Sequence, residues 1–163
     1  MIRSLLKILT NAWLTIIWNV PSEQCESHYT IPVQEYGILV NDRQKFYGNN
    51  IVTLYEEKFG LYPYYRNFSD PKSAINGGIP QRASIKAHLS KVRLDIAKAM
   101  PNRSFDGLAI VDYEKWRPLW EHNWYTKRIY QRESVAYVKQ RYKSISDRSA
   151  ELIAINEFNR AAM

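Results

Sequence analysis

Cysteine is almost absent from this 163-residue chain: Cys25 is the only one, so no disulfide bond can form within it. No uninterrupted apolar run is long enough to cross a bilayer, so we expect no membrane-spanning helix. His28, His88 and His122 do not have the spacing of a metal site, and we expect no metal and no cofactor. The glycine-rich phosphate loop and the G-x-S-x-G nucleophile motif are also missing. Metal chemistry and serine-nucleophile chemistry are therefore not supported by the sequence.

Acidic residues are outnumbered by basic ones, 16 to 23, which gives a net charge of +7 and an isoelectric point of about 9.5. A basic surface attracts anionic polymers, and acidic polysaccharide, nucleic acid and anionic lipid all qualify. The basic residues form no block and no nucleic-acid-binding motif is present, so we expect neither a nucleic-acid nor a membrane partner. The 12 tyrosines and 5 tryptophans suit both sugar rings and a protein core.

Apolar periodicity predicts an α/β protein in which strands alternate with helices around a parallel sheet. Three strands are predicted, at residues 14–20, 51–56 and 108–113. The clearest helix begins after Ser84, carries Ile85, Leu89, Val92 and Ile96 on one face, and ends before Pro101. Further helices are predicted at Val33–Tyr36, near residues 133–142, and at Asp147–Ala162, where Leu152, Ile155 and Phe158 share a face.

Asp112 and Glu114 are the strongest catalytic candidates. They end an apolar run, residues 108–111, that reads as a buried strand, and strand alternation would point both side chains the same way. Two crowded carboxylates cannot both ionise cheaply, so the pKa of one should rise. A neutral acid beside an ionised carboxylate is what glycosidic bond cleavage needs. The alternative is a structural acidic pair held by a nearby Arg or Lys, which is the more frequent outcome for so short a spacing.

Five segments in order make the case more specific. They are Trp-Asn-Val-Pro-Ser from Trp18 with Cys25, residues 51–55 with Gly-Leu-Tyr-Pro-Tyr from Gly60, Asn-Gly-Gly-Ile-Pro-Gln from Asn76, the acidic pair, and Trp-Arg-Pro from Trp116 with Asn123 and Trp124. From about Trp13 to the end, the chain resembles the hyaluronidase family, glycosyl hydrolase family 56. The resemblance implies a TIM-like (β/α) barrel.

Length limits how much of that barrel the sequence can hold, because a full (β/α)8 barrel needs about 250 residues. We therefore expect a partial barrel with about the first three βα units. Residues 1–12 read as a leader or partial signal-like segment, and residues 13–163 as an incomplete hyaluronidase-like catalytic domain with little activity alone. The family pairs the cysteine at position 25 with one later in the barrel, which this chain does not contain.

The resemblance also implies roles for single residues. Glu114 matches the proton donor, and Asp112 matches the residue that orients the substrate's acetamido group in substrate-assisted, retaining hydrolysis of hyaluronan or chondroitin. Tyr55 matches a substrate-contacting tyrosine. Arg117 would bind a substrate carboxylate or pair with Asp112 or Glu114. The alternatives are a chitinase-like glycosidase, disfavoured because Ile110 stands where that pattern has an acid, and a non-catalytic glycosaminoglycan-binding fragment.

Two N-glycosylation sequons, at Asn67 and Asn102, lie in turn-like segments and agree with passage through a secretory compartment. Together with the resemblance, they predict a secreted, extracellular or lysosomal glycoprotein. The signal peptide is not clear, because Asn11 interrupts the apolar residues near the N-terminus.

Overall fold

The computed structural model describes residues 14–20, 22–29, 31–45 and 47–163, so the expected leader, residues 1–12, lies outside the described residues. Within that part of the chain, no helix has both the length and the apolar character needed to cross a membrane. The strands are β1 (Ile51–Tyr55), β2 (Tyr64–Tyr65), β3 (Ala74–Ile75) and β4 (Leu108–Asp112), and the α-helices are α1 (Ile85–Ala99), α2 (Arg128–Arg141) and α3 (Asp147–Ala162).

Strands β1 and β4 pair in parallel to form a two-stranded sheet, and β2 and β3 form an antiparallel pair in which Tyr64 faces Ile75. The amide of Leu108 donates to the carbonyl of Asn50 over 2.9 Å where β4 begins beside β1. The α/β class is therefore confirmed, and the predicted strands at 51–56 and 108–113 are correct to within one residue.

The strand predicted at residues 14–20 is not formed. Ile17 makes a single parallel bridge to Leu39, through bonds from the Leu39 amide to the Ile16 carbonyl and from the Trp18 amide to the Leu39 carbonyl. The partner segment around Leu39 is short, because it lies between two 3-10 turns, Val33–Tyr36, as predicted, and Asp42–Gln44.

The prediction that β4 is buried is wrong. Leu108 and Val111 are 44% and 49% exposed, whereas the first four residues of β1 are buried. In the described part of the chain β4 has β1 as its only sheet neighbour. An apolar run predicts burial only when other elements cover both faces of the strand, and β4 lacks that cover.

The chain divides into two compact units, and the division falls within β1 and within β4. One unit comprises Met1–Thr53 with Ala99–Ile110, and the other comprises Leu54–Lys98 with Val111–Met163. Buried Asn41 organises the first unit, because its amide donates to the carbonyls of Lys45 and Ile51 over 2.7 Å and its oxygen accepts from the amides of Asn50 and Ile51.

The second unit contains the aromatic core, in which α2 packs against α3. Helix α3 buries Ala150, Ala154 and Phe158, which recur every four residues on one face. Leu152 is exposed, so its predicted place on the buried face is wrong. Helix α2 begins five residues earlier than predicted, at Arg128. The remaining buried core residues are Tyr65, Ile79, Trp116, Trp120, Ile129, Tyr130 and Val138.

Helix α1 forms where predicted, and the Ser84 hydroxyl accepts from the Ala87 amide over 3.3 Å near its start. Its expected apolar face is not buried: Ile85, Leu89 and Ile96 are exposed, and the one buried residue of the helix is Asp95. Polar contacts instead attach α1 to the loop that follows β1.

Candidate active site

The two predicted acids lie at the carboxyl end of β4 but in different backbone settings. Asp112 is the last residue of the strand and is half-buried, whereas Glu114 lies beyond it and is exposed. Strand alternation therefore applies through Asp112 only and does not by itself fix the direction of the Glu114 side chain.

Tyr55 meets the acid pair at the end of the neighbouring strand β1. Its hydroxyl is hydrogen-bonded to the carboxylate of Asp112. Burial, and then the negative charges of Asp112, Glu114 and Glu56, raise the pKa of Tyr55 above its usual value of 10.0, so the phenol stays protonated and donates. The structure thus brings Tyr55 and Asp112 together at the carboxyl ends of neighbouring parallel strands.

Charged side chains surround the main chain at Glu114. Its amide donates to Glu56 Oε2 over 3.3 Å, and its carbonyl accepts from Lys127 Nζ and, over 3.4 Å, from Arg117 Nη1. Lys127 Nζ also donates to the Lys115 carbonyl over 2.9 Å. Lys115 itself is paired with Glu57. The segment after β4 is therefore held by side chains rather than by a strand partner.

Arg117 is exposed, and its contact with Glu114 is to the carbonyl. Among the ion pairs of the described residues, none joins Arg117 to the carboxylate of Asp112 or Glu114. Of the two predicted roles for Arg117, pairing with those carboxylates is thus not found, and binding a substrate carboxylate stays a prediction.

Asn123 fixes the turn that carries Arg117. It is fully buried; its oxygen accepts from the Arg117 amide over 2.8 Å, and its amide donates to the carbonyls of Arg117 and Leu119 over 2.8 and 3.0 Å. The Trp-Arg-Pro turn is therefore built around a single buried amide.

Four aromatic rings pack in series and include that of Tyr113. Tyr113, between the two acids in sequence, packs against Tyr62 and Trp116 with ring centroids 4.6 and 4.9 Å apart, and Tyr62 packs edge-on against His88 at 4.6 Å. Burial raises the pKa of Tyr113 far above its usual value. Trp116 is buried and donates to the Pro63 carbonyl over 2.8 Å, so it belongs to the core.

The other predicted positions lie on the surface. Cys25 is exposed in the first unit, and its disulfide pairing stays a prediction. Asn67 and Asn102 are exposed, and the side-chain oxygen of each accepts from the serine amide two residues later over 2.9 Å. Glycosylation at these turns stays a prediction. Among the described residues, no group of three or more His, Cys, Asp or Glu side chains could hold a metal ion.

Three residues of this site were not predicted from the sequence. They are Glu56 and Lys127, which contact Glu114, and Asn123, whose structural role was not foreseen. Glu56 directly follows β1 and is the last residue of the strand predicted at 51–56, so its place at the end of a strand was the available signal. Lys127 is one of 23 basic residues, and nothing in its local sequence marks it. Its proximity to Glu114 arises from the fold alone.

Comparisons with known proteins agree on one family. A family model described as hyaluronidase matches residues 4–163. The chain is 38% identical over 149 residues to a chondroitin hydrolase of Caenorhabditis elegans and 37% identical over 157 residues to hyaluronidase-1 of Bos taurus. It also superposes with a TM-score of 0.78 and 31% identity on the crystal structure of bee venom hyaluronidase in complex with a hyaluronic acid tetramer.

The comparisons cover most of this chain but less than half of each relative. The alignments include 90% and 95% of this chain but 32% of the nematode protein and 34% of the bovine one. The superposition covers 92% of this chain and 47% of the bee venom chain. The chain thus spans about a third of the length of the curated relatives it matches.

Proposed function

Because the chain belongs to the hyaluronidase family, we propose that it provides the acid pair of a glycoside hydrolase that cleaves hyaluronan or chondroitin at N-acetylhexosaminidic bonds. One observation carries the proposal: Tyr55, at the end of β1, is hydrogen-bonded to Asp112, at the end of β4. Active sites of (β/α) barrels lie where the carboxyl ends of parallel strands meet.

The chemistry requires one acid and one orienting group. Glu114 gives its proton to the glycosidic oxygen as the bond to the anomeric carbon breaks, and the carbonyl oxygen of the substrate's own acetamido group forms the new bond to that carbon. Asp112, which Tyr55 holds by a hydrogen bond, orients the acetamido group and stabilises its positive charge. Glu114, now ionised, takes a proton from water as the water opens the cyclic intermediate, which restores the acid.

The finer fold assignment belongs to the same proposal. We place the elements of this chain among the first three βα units of a TIM-like barrel. The superposition on bee venom hyaluronidase over 47% of that chain supports this placement, as does the parallel pairing of β1 with β4.

Substrate and location are proposed on separate grounds. The bee venom structure contains a hyaluronic acid tetramer, and the nematode relative is named for chondroitin, so both polymers are candidates. Arg117 is exposed beside Glu114 and is suited to a carboxylate of either polymer. The exposed sequons at Asn67 and Asn102 support a secreted protein.

The substitution Glu114→Gln tests the function, with Glu121→Gln, an exposed glutamate on the next 3-10 turn, as the matched control. Loss of the proton donor should lower the rate of polymer cleavage by about a hundredfold or more. Binding of hyaluronan fragments should stay within about twofold, because the amide is isosteric. Release of reducing ends from hyaluronan, chondroitin and chitin is the measurement.

Activity is measured in the 163-residue chain and in a hybrid in which residues 14–163 replace the matching part of bovine hyaluronidase-1. Unchanged cleavage by the Glu114→Gln hybrid would refute the proposed role. Hyaluronan binding without cleavage in either form would identify a non-catalytic glycosaminoglycan-binding protein, and preferential release of ends from chitin would identify a chitinase-like enzyme.

A further inference from the structure

The main chain leaves the sheet directly after Asp112, so the peptide groups around Glu114 have no strand partner among the described residues. Buried or partly buried peptide groups need hydrogen-bond partners, and here side chains provide them. The Glu114 amide donates to Glu56, and its carbonyl accepts from Lys127. The residue is therefore held from both sides, by a carboxylate at its N–H and by an ammonium at its C=O.

Glu56 is placed for this task by β1. It is the first residue after the strand and is 5% exposed, although glutamate is seldom buried without a partner. Its Oε2 is 3.3 Å from the Glu114 amide nitrogen. Its negative charge also raises the pKa of Lys115, after the larger effect of Glu57, and opposes the lowering of the Lys127 pKa. The Glu56 carboxylate therefore lies near two lysines and accepts a hydrogen bond from the Glu114 amide.

Lys127 reaches the same segment from the 3-10 turn that precedes α2. Its ammonium donates to the carbonyls of Glu114 and Lys115 and lies 5.4 Å from the centre of the Phe68 ring. Burial, and then the charge of Arg117, lower the pKa of Lys127, while the charges of Glu114 and Glu56 act in the opposite direction. Hydrogen bonds can offset the free-energy cost of partly desolvating an ammonium group. The bonds of Lys127 that do so include one to the main chain of Glu114.

We infer that Glu56 and Lys127 are positioning residues that fix the backbone of Glu114, and through it the direction from which its carboxyl group delivers a proton. The inference rests on the proposed function of Glu114 as the proton donor. Glu56 and Lys127 need not touch the substrate, because their contacts are with the peptide groups of Glu114. Misplacement of a catalytic group by about 1 Å can lower turnover by about a hundredfold.

Amide hydrogen exchange in the full chain tests the backbone contact directly. Glu56→Leu removes the acceptor and should accelerate exchange at the Glu114 amide by about tenfold or more, because a hydrogen bond to a charged group is lost. Glu56→Gln keeps an oxygen acceptor and should restore most of the protection. Glu121→Leu, at an exposed glutamate, is the control, and the amide of Phe158 reports on global unfolding.

The lysine contact has its own measurement. Lys127→Met keeps the apolar stem but removes the ammonium, and it should shift the carbonyl ¹³C resonances of Glu114 and Lys115. Lys139→Met, which removes a lysine paired with Asp147, should leave both resonances unchanged. Equal effects of Lys127→Met and Lys139→Met on the carbonyl resonances, or of Glu56→Leu and Glu121→Leu on amide exchange, would overturn the inference.

Measurements of kcat and KM, made in whichever of the 163-residue chain and the hybrid cleaves the polymers, distinguish this inference from the proposed function. Glu56→Leu and Lys127→Met should lower kcat by about tenfold or more with KM nearly unchanged, and Glu56→Gln should recover most of kcat. Wild-type kcat in Glu56→Leu would overturn the positioning role while leaving Glu114 as the acid. If no form cleaves the polymers yet the exchange and ¹³C effects appear, the hydrolase proposal fails and the backbone contact stands.

Discussion

Polar side chains that bind main-chain groups define several turns of this protein. Asp95, the one buried residue of α1, accepts from the Gly60 amide over 2.9 Å and is paired with Lys91. His88, one turn from the start of the same helix, accepts from the Leu61 amide over 2.9 Å. These two contacts attach α1 to the loop after β1. The sequence pattern predicted instead that the apolar face of the helix, with its leucine and isoleucine side chains, would make the packing contacts.

The contact at Asp95 predicts a pH-dependent stability. Burial alone would raise the pKa of Asp95, but hydrogen bonds from Lys91 and the Gly60 amide, with the charges of Lys91 and Lys98, lower it overall. A lowered folded-state pKa contributes stability above the unfolded value of about 3.9, and that contribution is lost as the pH falls through the folded value. Asp95→Asn should therefore destabilise the protein at neutral pH.

Urea unfolding at several pH values measures this effect. The difference in unfolding free energy between wild type and Asp95→Asn should shrink as the pH falls below about 4. Asp106→Asn, at an exposed turn residue, is the control. A difference that stays constant down to acidic pH would show that the carboxylate's charge does not stabilise the fold.

Among the helices, α3 shows most clearly how packing selects one face from an apolar pattern. Ser146 caps it by accepting from the Ser149 amide over 3.2 Å, and the helix occupies its predicted residues. Phe158 is fully buried, and its ring centre lies 5.7 Å from those of Trp116 and Trp120. Leu152 is 56% exposed, although its hydropathy alone suggests burial.

Two alanine substitutions on α3 should therefore have very different effects on the free energy of unfolding. Phe158→Ala should lower the unfolding free energy by about 3–5 kcal/mol, because it leaves a cavity beside two tryptophans. Leu152→Ala should change it by less than about 0.5 kcal/mol, since the side chain is already in water. Urea unfolding gives both values, and similar losses for the two variants would contradict the packing described here.

Over the whole protein, the net charge of +7 bears on the proposed binding of a polyanionic polymer. Long-range attraction between a basic protein and hyaluronan acts through solvent and is screened by salt. Contacts with neutral parts of the sugar are not screened. The balance between the two therefore shows in the salt dependence of binding.

Binding of hyaluronan fragments should weaken several-fold between about 0.05 and 0.5 M salt, over which the Debye length falls below about 5 Å. Binding of uncharged chitin fragments of equal length serves as the control and should change little. Calorimetry or fluorescence titration measures both. A hyaluronan affinity that is independent of salt would show that the net charge plays no part in recognition.

Local sequence was enough to predict several of the helices and strands and to indicate where a candidate site lies. Ser84 marks the start of one helix, the positions of β1 and β4 follow from short apolar runs, and Asp112 and Glu114 stand out by their place after one of those runs. Each of these features depends on neighbours in sequence, which is why a single chain reveals them. The five ordered motifs were also sufficient to indicate the family that the comparisons then showed.

Tertiary structure alone decided which apolar residues are covered and what holds Glu114. Burial depends on what packs against a face. Phe158 is therefore buried, whereas Leu152 and the predicted apolar face of α1 are exposed. The contacts of Glu56 and Lys127 with Glu114 join residues that lie 58 and 13 positions from it. No local pattern encodes such pairs, because hydrogen bonds between distant segments exist only once the chain has folded.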